Sequence, residues 1–156
     1  MTNYVIVGGG IAGLMAAKAI TTYDFGAPIT IITNNKCRTV CKPSFPEYLS
    51  SKKKIQHWQR LPDDFYVQNN IRFIYARALT INGNKVMLSN QEVPFDKLLL
   101  ATGICYDTSN GSQAIASARD AIKLRKSIKN IQKAVVLGAS SFGIQVAESL
   151  AKQNIK

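Results

Sequence analysis

Three glycines, Gly8, Gly10 and Gly13, are spaced G-x-G-x-x-G directly after the apolar run Tyr4-Val5-Ile6-Val7. The chemistry such spacing serves is the binding of a diphosphate. Gly8 allows the tight turn out of a strand, and Gly10 lets the backbone approach a phosphate with no Cβ in the way. Gly13 lets the following helix pack close to the strand, while the amides at the helix start, Ile11 and Ala12 among them, face the anion. The helix dipole adds about 0.3–1 kcal/mol for a negative group placed there. The glycine pattern alone is weak; the strand before it and the helix after it supply the context that it needs.

The elements around the turn agree with that reading. Ile11 to Ile20 is apolar on nearly every face, through Leu14, Met15, Ala16, Ala17 and Ala19, as expected for a helix pressed between a sheet and its neighbours. Asp24, Gly26 and Pro28 end it, and Ile29-Thr30-Ile31-Ile32-Thr33 reads as a second buried strand. The result is a βαβ unit with a right-handed crossover. An acidic residue normally follows the last glycine by about twenty positions and binds ribose hydroxyls. Here Thr33, Asn34 and Asn35 stand there, followed by Lys36 and Arg38. Asn34 or Asn35 can hydrogen-bond a ribose as a neutral group. Alternatively, Lys36 and Arg38 can accept a 2′-phosphate, or form only a solvated basic turn.

Composition bounds the rest. The 156 residues, 46% hydrophobic and 19% charged, suit one domain, or one domain with part of another. No uninterrupted apolar stretch is long enough to span a membrane. The first strand starts at Tyr4, which leaves no room for a signal peptide, so a cytoplasmic location is expected. Three cysteines, Cys37, Cys41 and Cys105, do not suggest a disulfide scaffold. The net charge of +11 raises nucleic acid as a partner, but the basic residues are scattered. The densest run, Lys52-Lys53-Lys54, has no interleaved aromatic residues to stack bases. Solvated faces and a weak attraction for anionic cofactors account for the charge, with no specific nucleic acid expected. His57, the only histidine, has no partner at metal-ligand or triad spacing, so no metal site is expected.

Further along, Asn70 to Tyr75 reads as a strand, and Asn82-Gly83-Asn84-Lys85 makes a turn before the alternating run Lys85 to Ser89. After a second turn at Asn90-Gln91, Val93 to Gly103 runs from a polar edge into a buried strand that ends in Ala101, Thr102 and Gly103. Small residues at a strand's carboxyl end let its backbone come close to a ligand.

The first glycine turn, the run Phe95-Asp96-Lys97-Leu98-Leu99-Leu100-Ala101-Thr102-Gly103 and a second glycine-type turn beginning thirty-five positions after Gly103 together resemble one family. It is that of the FAD-dependent pyridine nucleotide–disulfide oxidoreductases. The segment Cys41-Lys42-Pro43-Ser44-Phe45-Pro46-Glu47-Tyr48-Leu49 is most similar to the NADH oxidase, nitrite reductase and rubredoxin reductase-like branch, where an arginine–proline pair precedes a short apolar segment facing the flavin. The resemblance covers essentially the whole chain. It implies an α/β fold: a Rossmann-like FAD-binding domain with a parallel sheet and a small antiparallel β-meander over 1–110, and a linker helix within 111–133. Over 134–156 it implies the first strand and helix of an NAD(P)H-binding domain.

The resemblance also assigns roles. Gly8, Gly10 and Gly13 hold the FAD pyrophosphate, Ala78 lies near the adenine, and Ala101, Thr102 and Gly103 close over the dinucleotide. Lys42 and Pro43 take the place of the arginine–proline pair. Lys42 keeps the positive charge without the bidentate fork. Hydride passes from NAD(P)H to FAD, and electrons go on to an acceptor, either a small molecule or a small redox protein. In relatives the fold is completed by a longer C-terminal part, so either that part or a second chain is expected here.

The second turn is Gly138-Ala139-Ser140-Ser141-Phe142-Gly143, after the strand-like Val135-Val136-Leu137 and before a helix over Ile144 to Gln153. Gly138, Ser140 and Gly143 are its expected NAD(P)H contacts. Ser140 replaces the middle glycine; its Cβ pushes the turn from a diphosphate, while its hydroxyl can donate to one. Gln145 stands where relatives commonly carry glutamate. Ser117 to Ile128 has an apolar face and a basic one, as a linker helix should. The cysteine pair Cys37 and Cys41 is spaced C-x3-C, whereas the family's redox pair is C-x4-C. Cys41 is the candidate catalytic residue: Lys36, Arg38 and Lys42 would lower its pKa and favour thiolate, and the alternative is an inert thiol. Two function classes remain, an FAD-dependent oxidoreductase and a noncatalytic FAD- or dinucleotide-binding subunit.

Overall fold

The computed structural model describes residues 1–35, 42–58, 61–104, 106, 108 and 111–156. Among the cysteines and their neighbours, Lys36, Cys37, Arg38, Cys41 and Cys105 lie outside the described residues. The chain divides into two compact units, Met1–Thr39 with Arg60–Gly103, and Val40–Gln59 with Ile104–Lys156.

Apolar β-branched runs build the first unit. Strands β1 (Tyr4–Val7), β2 (Ile29–Thr33), β3 (Ile71–Tyr75) and β7 (Lys97–Leu100) form a parallel sheet in the order β3-β2-β1-β7. Between β1 and β2 runs helix α1 (Ile11–Tyr23), and α3 (Asp63–Gln68) precedes β3. Alternation along the strands sends side chains to both faces. Ile6, Ile29, Ile31 and Ile71 pack with Leu14 and Ala17 of α1 and Tyr66 of α3. Val5, Val7, Ile32 and Ile74 pack instead with Val86, Leu88 and Val93. Those last three belong to or adjoin the antiparallel meander β4 (Thr80–Asn82), β5 (Lys85–Met87) and β6 (Glu92–Pro94). The parallel sheet is thus covered on both faces, which is why its two central strands carry apolar residues on both sides.

Two expectations need correction here. The run from Val93 to Gly103 is two strands rather than one, broken at Phe95-Asp96, where Asp96 accepts from the Asn3 backbone amide at 2.7 Å. Its second half is not buried: Leu99 is 40% and Leu100 60% exposed, because among the described residues β7 pairs only with β1 and forms the sheet edge. Helix α1 is likewise covered on one side, through Gly13, Leu14 and Ala17, while Ile11 and Met15 are exposed. At the other end of β1 the Tyr4 hydroxyl donates to Asp24 at 3.1 Å, a bond that raises the tyrosine pKa above its ordinary value.

The second unit is helical. Helices α2 (Phe45–Ser50), α4 (Ala118–Ser127) and α5 (Ser141–Ala151) surround a core of Leu49, Ile128, Val146, Leu150 and Ile155. A reciprocal cap starts α4: the Ser117 amide donates to the Asp120 carboxylate at 2.8 Å, and the Asp120 amide to the Ser117 hydroxyl at 3.3 Å. The S-x-x-D spacing sets the two residues one helical turn apart, as a reciprocal cap requires. Helix α5 begins three residues earlier than Ile144, because Ser140 caps it. Val135-Val136-Leu137 does not form the expected strand; Val135 and Leu137 are 86% and 74% exposed. The backbone just before it does pair: the Ala134 amide donates to the Lys156 carbonyl at 2.8 Å, and the Lys156 amide to the Gln132 carbonyl at 2.9 Å. That alternation is the pattern of a parallel pair. Among the described residues, no helix is long and apolar enough to cross a membrane.

Candidate functional site

The first glycine turn lies at the carboxyl edge of the parallel sheet, the end where open α/β sheets take ligands. The strand register aligns Val7 with Ile32 and with Leu100, so β1, β2 and β7 finish level. Gly8 then leaves β1 with φ +120°, its amide donating to the Ile32 carbonyl at 2.8 Å. Any side chain here would be strained, and a Cβ would overlap the Ala101 carbonyl of the neighbouring chain segment. A Cβ on Gly13 would overlap the Gly8 carbonyl, so the helix sits directly against the turn. Gly9 is tight against Thr33, whose side-chain atoms lie 3.1–3.2 Å from where its Cβ would be.

Gly10 differs from the other three. Its φ and ψ, −80° and −174°, suit any residue, and a Cβ there would meet nothing within 4 Å. Nothing in the chain itself requires glycine at this position. It is the N-cap of α1, has no side chain to cap the helix, and the first turn of α1 carries no acidic residue. The first helical amides therefore lack side-chain acceptors and offer an uncovered cradle for an anion. These features fit a dinucleotide diphosphate.

Around the cradle stand the other candidates of the first unit. Asn34 is exposed just beyond β2, and the half-buried Asn35 donates its amide to the Thr33 hydroxyl at 3.2 Å. Ala101 donates its amide to Val7 at 2.8 Å, Thr102 is exposed, and Gly103 has φ +74°. Ala78 packs against the cluster shared by sheet and meander. Gly9 and Thr33 were not among the sequence-derived candidate contacts; a fourth glycine inside the motif was the available signal.

The remaining candidates belong to the second unit. Lys42 and the exposed Pro43 form a single 3-10 turn, Lys42–Ser44, leading into α2. At the second glycine turn Gly138 has φ +104°, and a Cβ on Gly143 would overlap the Gly138 carbonyl. This repeats the contact between Gly13 and Gly8. However, a Cβ on Gly138 would meet nothing within 4 Å, and Ser140 accepts from the Gly143 amide at 3.2 Å. Among the described residues, no cluster of His, Cys, Asp and Glu is arranged to hold a metal ion.

The family model of the pyridine nucleotide-disulphide oxidoreductases matches residues 2–156. The chain belongs to this family. It is 32% identical to the epsilon subunit of the NADH-dependent phenylglyoxylate dehydrogenase of Aromatoleum evansii, over 97% of this chain and 38% of that protein. It is 30% identical to the NADH-rubredoxin oxidoreductase of Clostridium acetobutylicum, over 96% of this chain and 41% of the relative. The crystal structure of NADH:rubredoxin oxidoreductase from Clostridium acetobutylicum superposes with a TM-score of 0.87 at 27% identity, over 99% of this chain and 43% of that one. This member of the pyridine nucleotide-disulphide oxidoreductases thus spans about two-fifths of the length of the relatives it matches.

Proposed function

We propose that this chain forms the nucleotide-binding front of an FAD-dependent NAD(P)H oxidoreductase of the NADH oxidase, nitrite reductase and rubredoxin reductase kind. The observation that carries the reading is Gly10, a glycine the fold does not need, at the mouth of a turn whose other glycines the fold does need. In this reading 1–110 binds FAD, 111–133 contains the linker helix, and 134–156 opens an NAD(P)H-binding domain. FAD supplies hydride acceptance and onward electron transfer, while the chain supplies position and field. The diphosphate lies on the amides from Gly10 to Gly13, with Ala101, Thr102 and Gly103 beside it. Asn34 or Asn35 takes the ribose as a neutral partner, and Ala78 is near the adenine. Lys42 and Pro43 belong to the flavin side, and Cys41 is the candidate redox thiol. Gly138, Ser140 and Gly143 bind NAD(P)H, supported by the close contact of Gly143 on Gly138 and by the parallel start at Lys156. The electron acceptor is a small molecule or a small redox protein, the fold is completed by further polypeptide, and the location is cytoplasmic.

A second reading is a noncatalytic FAD-binding subunit. The Aromatoleum relative is a subunit of an NADH-dependent dehydrogenase, which supports the subunit part of this reading alone. Flavin absorbance with NADH titration separates the two: bound FAD that NADH bleaches marks the enzyme, and bound FAD that it never bleaches marks the subunit. Gly10→Val tests the site beneath both. It should leave stability within about 1 kcal/mol, since its only cost is at an exposed N-cap, yet abolish flavin uptake. Flavin uptake unchanged by Gly10→Val removes the cradle and the assignment with it.

A further inference from the structure

The strand order of the first unit fixes where the parts of a dinucleotide fall. The diphosphate lies at the end of β1, and the position that holds a ribose follows the end of β2. Strands β1, β2 and β3 stand side by side in that order. A base beyond the ribose therefore falls at the carboxyl end of β3, roughly 10 Å from the cradle at the usual strand spacing. β3 ends at Tyr75, which the register places beside Thr33. Thr33 is the residue against which Gly9 is tight, and its hydroxyl accepts the Asn35 amide at 3.2 Å. The Ala76 amide donates back to the Ile74 carbonyl at 3.1 Å, so Tyr75 is the middle residue of a γ-turn that stops the strand.

Tyr75 also ends a run of rings. Tyr66 of α3 is buried and meets Phe73 edge-on at 5.1 Å, and Phe73 stacks with Tyr75 at 6.0 Å, their planes 13° apart. Alternation along β3 puts Phe73 and Tyr75 on one face of the sheet, the face that packs on α1 and α3. Ala78 packs on the other face, with the meander. Tyr66 is covered and Phe73 half-buried, yet Tyr75 is 42% exposed. Core packing alone does not call for so large a ring at that edge. We infer that Tyr75 is the base platform of the dinucleotide site, its ring stacking on the adenine. The contact with Phe73 holds the ring in place, so little side-chain freedom is left to lose when a base settles on it. Stacking of this kind reads the flat face of a base and needs no polar partner. The inference rests on the dinucleotide reading of the Gly10 cradle and adds a contact to the far end of the same ligand.

The test measures binding of FAD, ADP and inorganic pyrophosphate to the full chain. All three carry the diphosphate, and only the first two carry adenine. Tyr75→Leu keeps an apolar side chain against Phe73 and removes the ring. It should weaken FAD and ADP about tenfold and leave pyrophosphate unchanged. Tyr75→Phe keeps the ring and should bind all three as the parent chain does. The urea midpoint of Tyr75→Leu should stay close to that of the parent, since the position is exposed at the end of an outer strand. FAD binding unchanged in Tyr75→Leu would overturn the inference. So would an equal loss of FAD and pyrophosphate, which would mean a deformed cradle, or a loss in Tyr75→Phe as large as in Tyr75→Leu, which would assign the effect to the hydroxyl. A parent chain that binds FAD but not ADP would overturn it as well, because the base would then lie elsewhere. Gly10→Val tells this inference from the reading beneath it. FAD binding that survives Gly10→Val but falls with Tyr75→Leu would remove the cradle and leave the base platform standing.

Discussion

At the first glycine turn a Cβ on Gly8 would overlap Ala101, whereas at the second a Cβ on Gly138 would reach open space. The local turns are otherwise alike, each with a glycine at positive φ and a second glycine five residues on whose Cβ would overlap the first one's carbonyl. The difference is the neighbour. Gly8 ends a strand flanked by β2 and β7, while among the described residues the segment before Gly138 is paired only through Gln132, Ala134 and Lys156. Turn geometry is thus a local property of the glycines, and their steric strictness comes from the sheet around them.

Gly8→Ala and Gly138→Ala provide the largest contrast. At Gly8 the alanine meets backbone strain and a carbonyl that must move, together about 3 kcal/mol or more. At Gly138 only the strain applies, about 1–2 kcal/mol. Urea midpoints followed by circular dichroism would measure both. Equal losses would mean that the Ala101 contact does not constrain the turn. Gly13→Ala and Gly143→Ala should resemble each other, at about 2 kcal/mol, since both displace a helix from its turn and alanine's helix preference offsets only about 1 kcal/mol.

The parallel sheet, the meander and the first turn were legible in the sequence because local signals and long-range packing agree there. Tyr4–Val7 and Ile29–Ile32 are apolar at every buried position, and Asn82-Gly83 marks a turn with φ +54° at its glycine. Where partners decide, the sequence misled. Leu98-Leu99-Leu100 has the composition of a central strand yet lies at the edge, and Val135-Val136-Leu137 has strand propensity without a ladder to join. The position of Arg125 over Tyr48 was also invisible, because its residues are far apart in sequence and nothing periodic links them.

A reciprocal exchange at the middle position sharpens the comparison. Ser140 caps α5 through the Gly143 amide, while Gly10 leaves the equivalent end of α1 uncapped. Ser140→Ala should cost about 1 kcal/mol and Ser140→Gly only a few tenths. Gly10→Ser should do the opposite to its helix, adding a cap of up to about 1 kcal/mol while weakening flavin binding. A stabilised variant that binds FAD less well would separate the needs of the helix from those of its ligand. Flavin binding that improves along with stability would show that the open amides at Gly10 serve no anion.

The narrowest test of the comparison is at Gly9. Its Cβ would lie 3.1–3.2 Å from three side-chain atoms of Thr33, close enough that the threonine must give way by a few tenths of an ångström. Thr33 is buried at the end of β2, and its hydroxyl accepts the Asn35 amide at 3.2 Å, so it is not free to turn. Gly9→Ala should therefore cost about 1 kcal/mol, read as a shift in the urea midpoint. Thr33→Ser removes the methyl and keeps the acceptor, so Gly9→Ala placed on Thr33→Ser should cost less than on the parent chain. A coupling of about 0.5 kcal/mol or more is expected for residues in direct contact. Among the described residues the second turn has no counterpart to this pair, since no strand stands beside Ala139 as β2 stands beside Gly9. Strict additivity in the double variant would mean that the first turn is held by its own glycines alone, and that β2 contributes nothing to its shape.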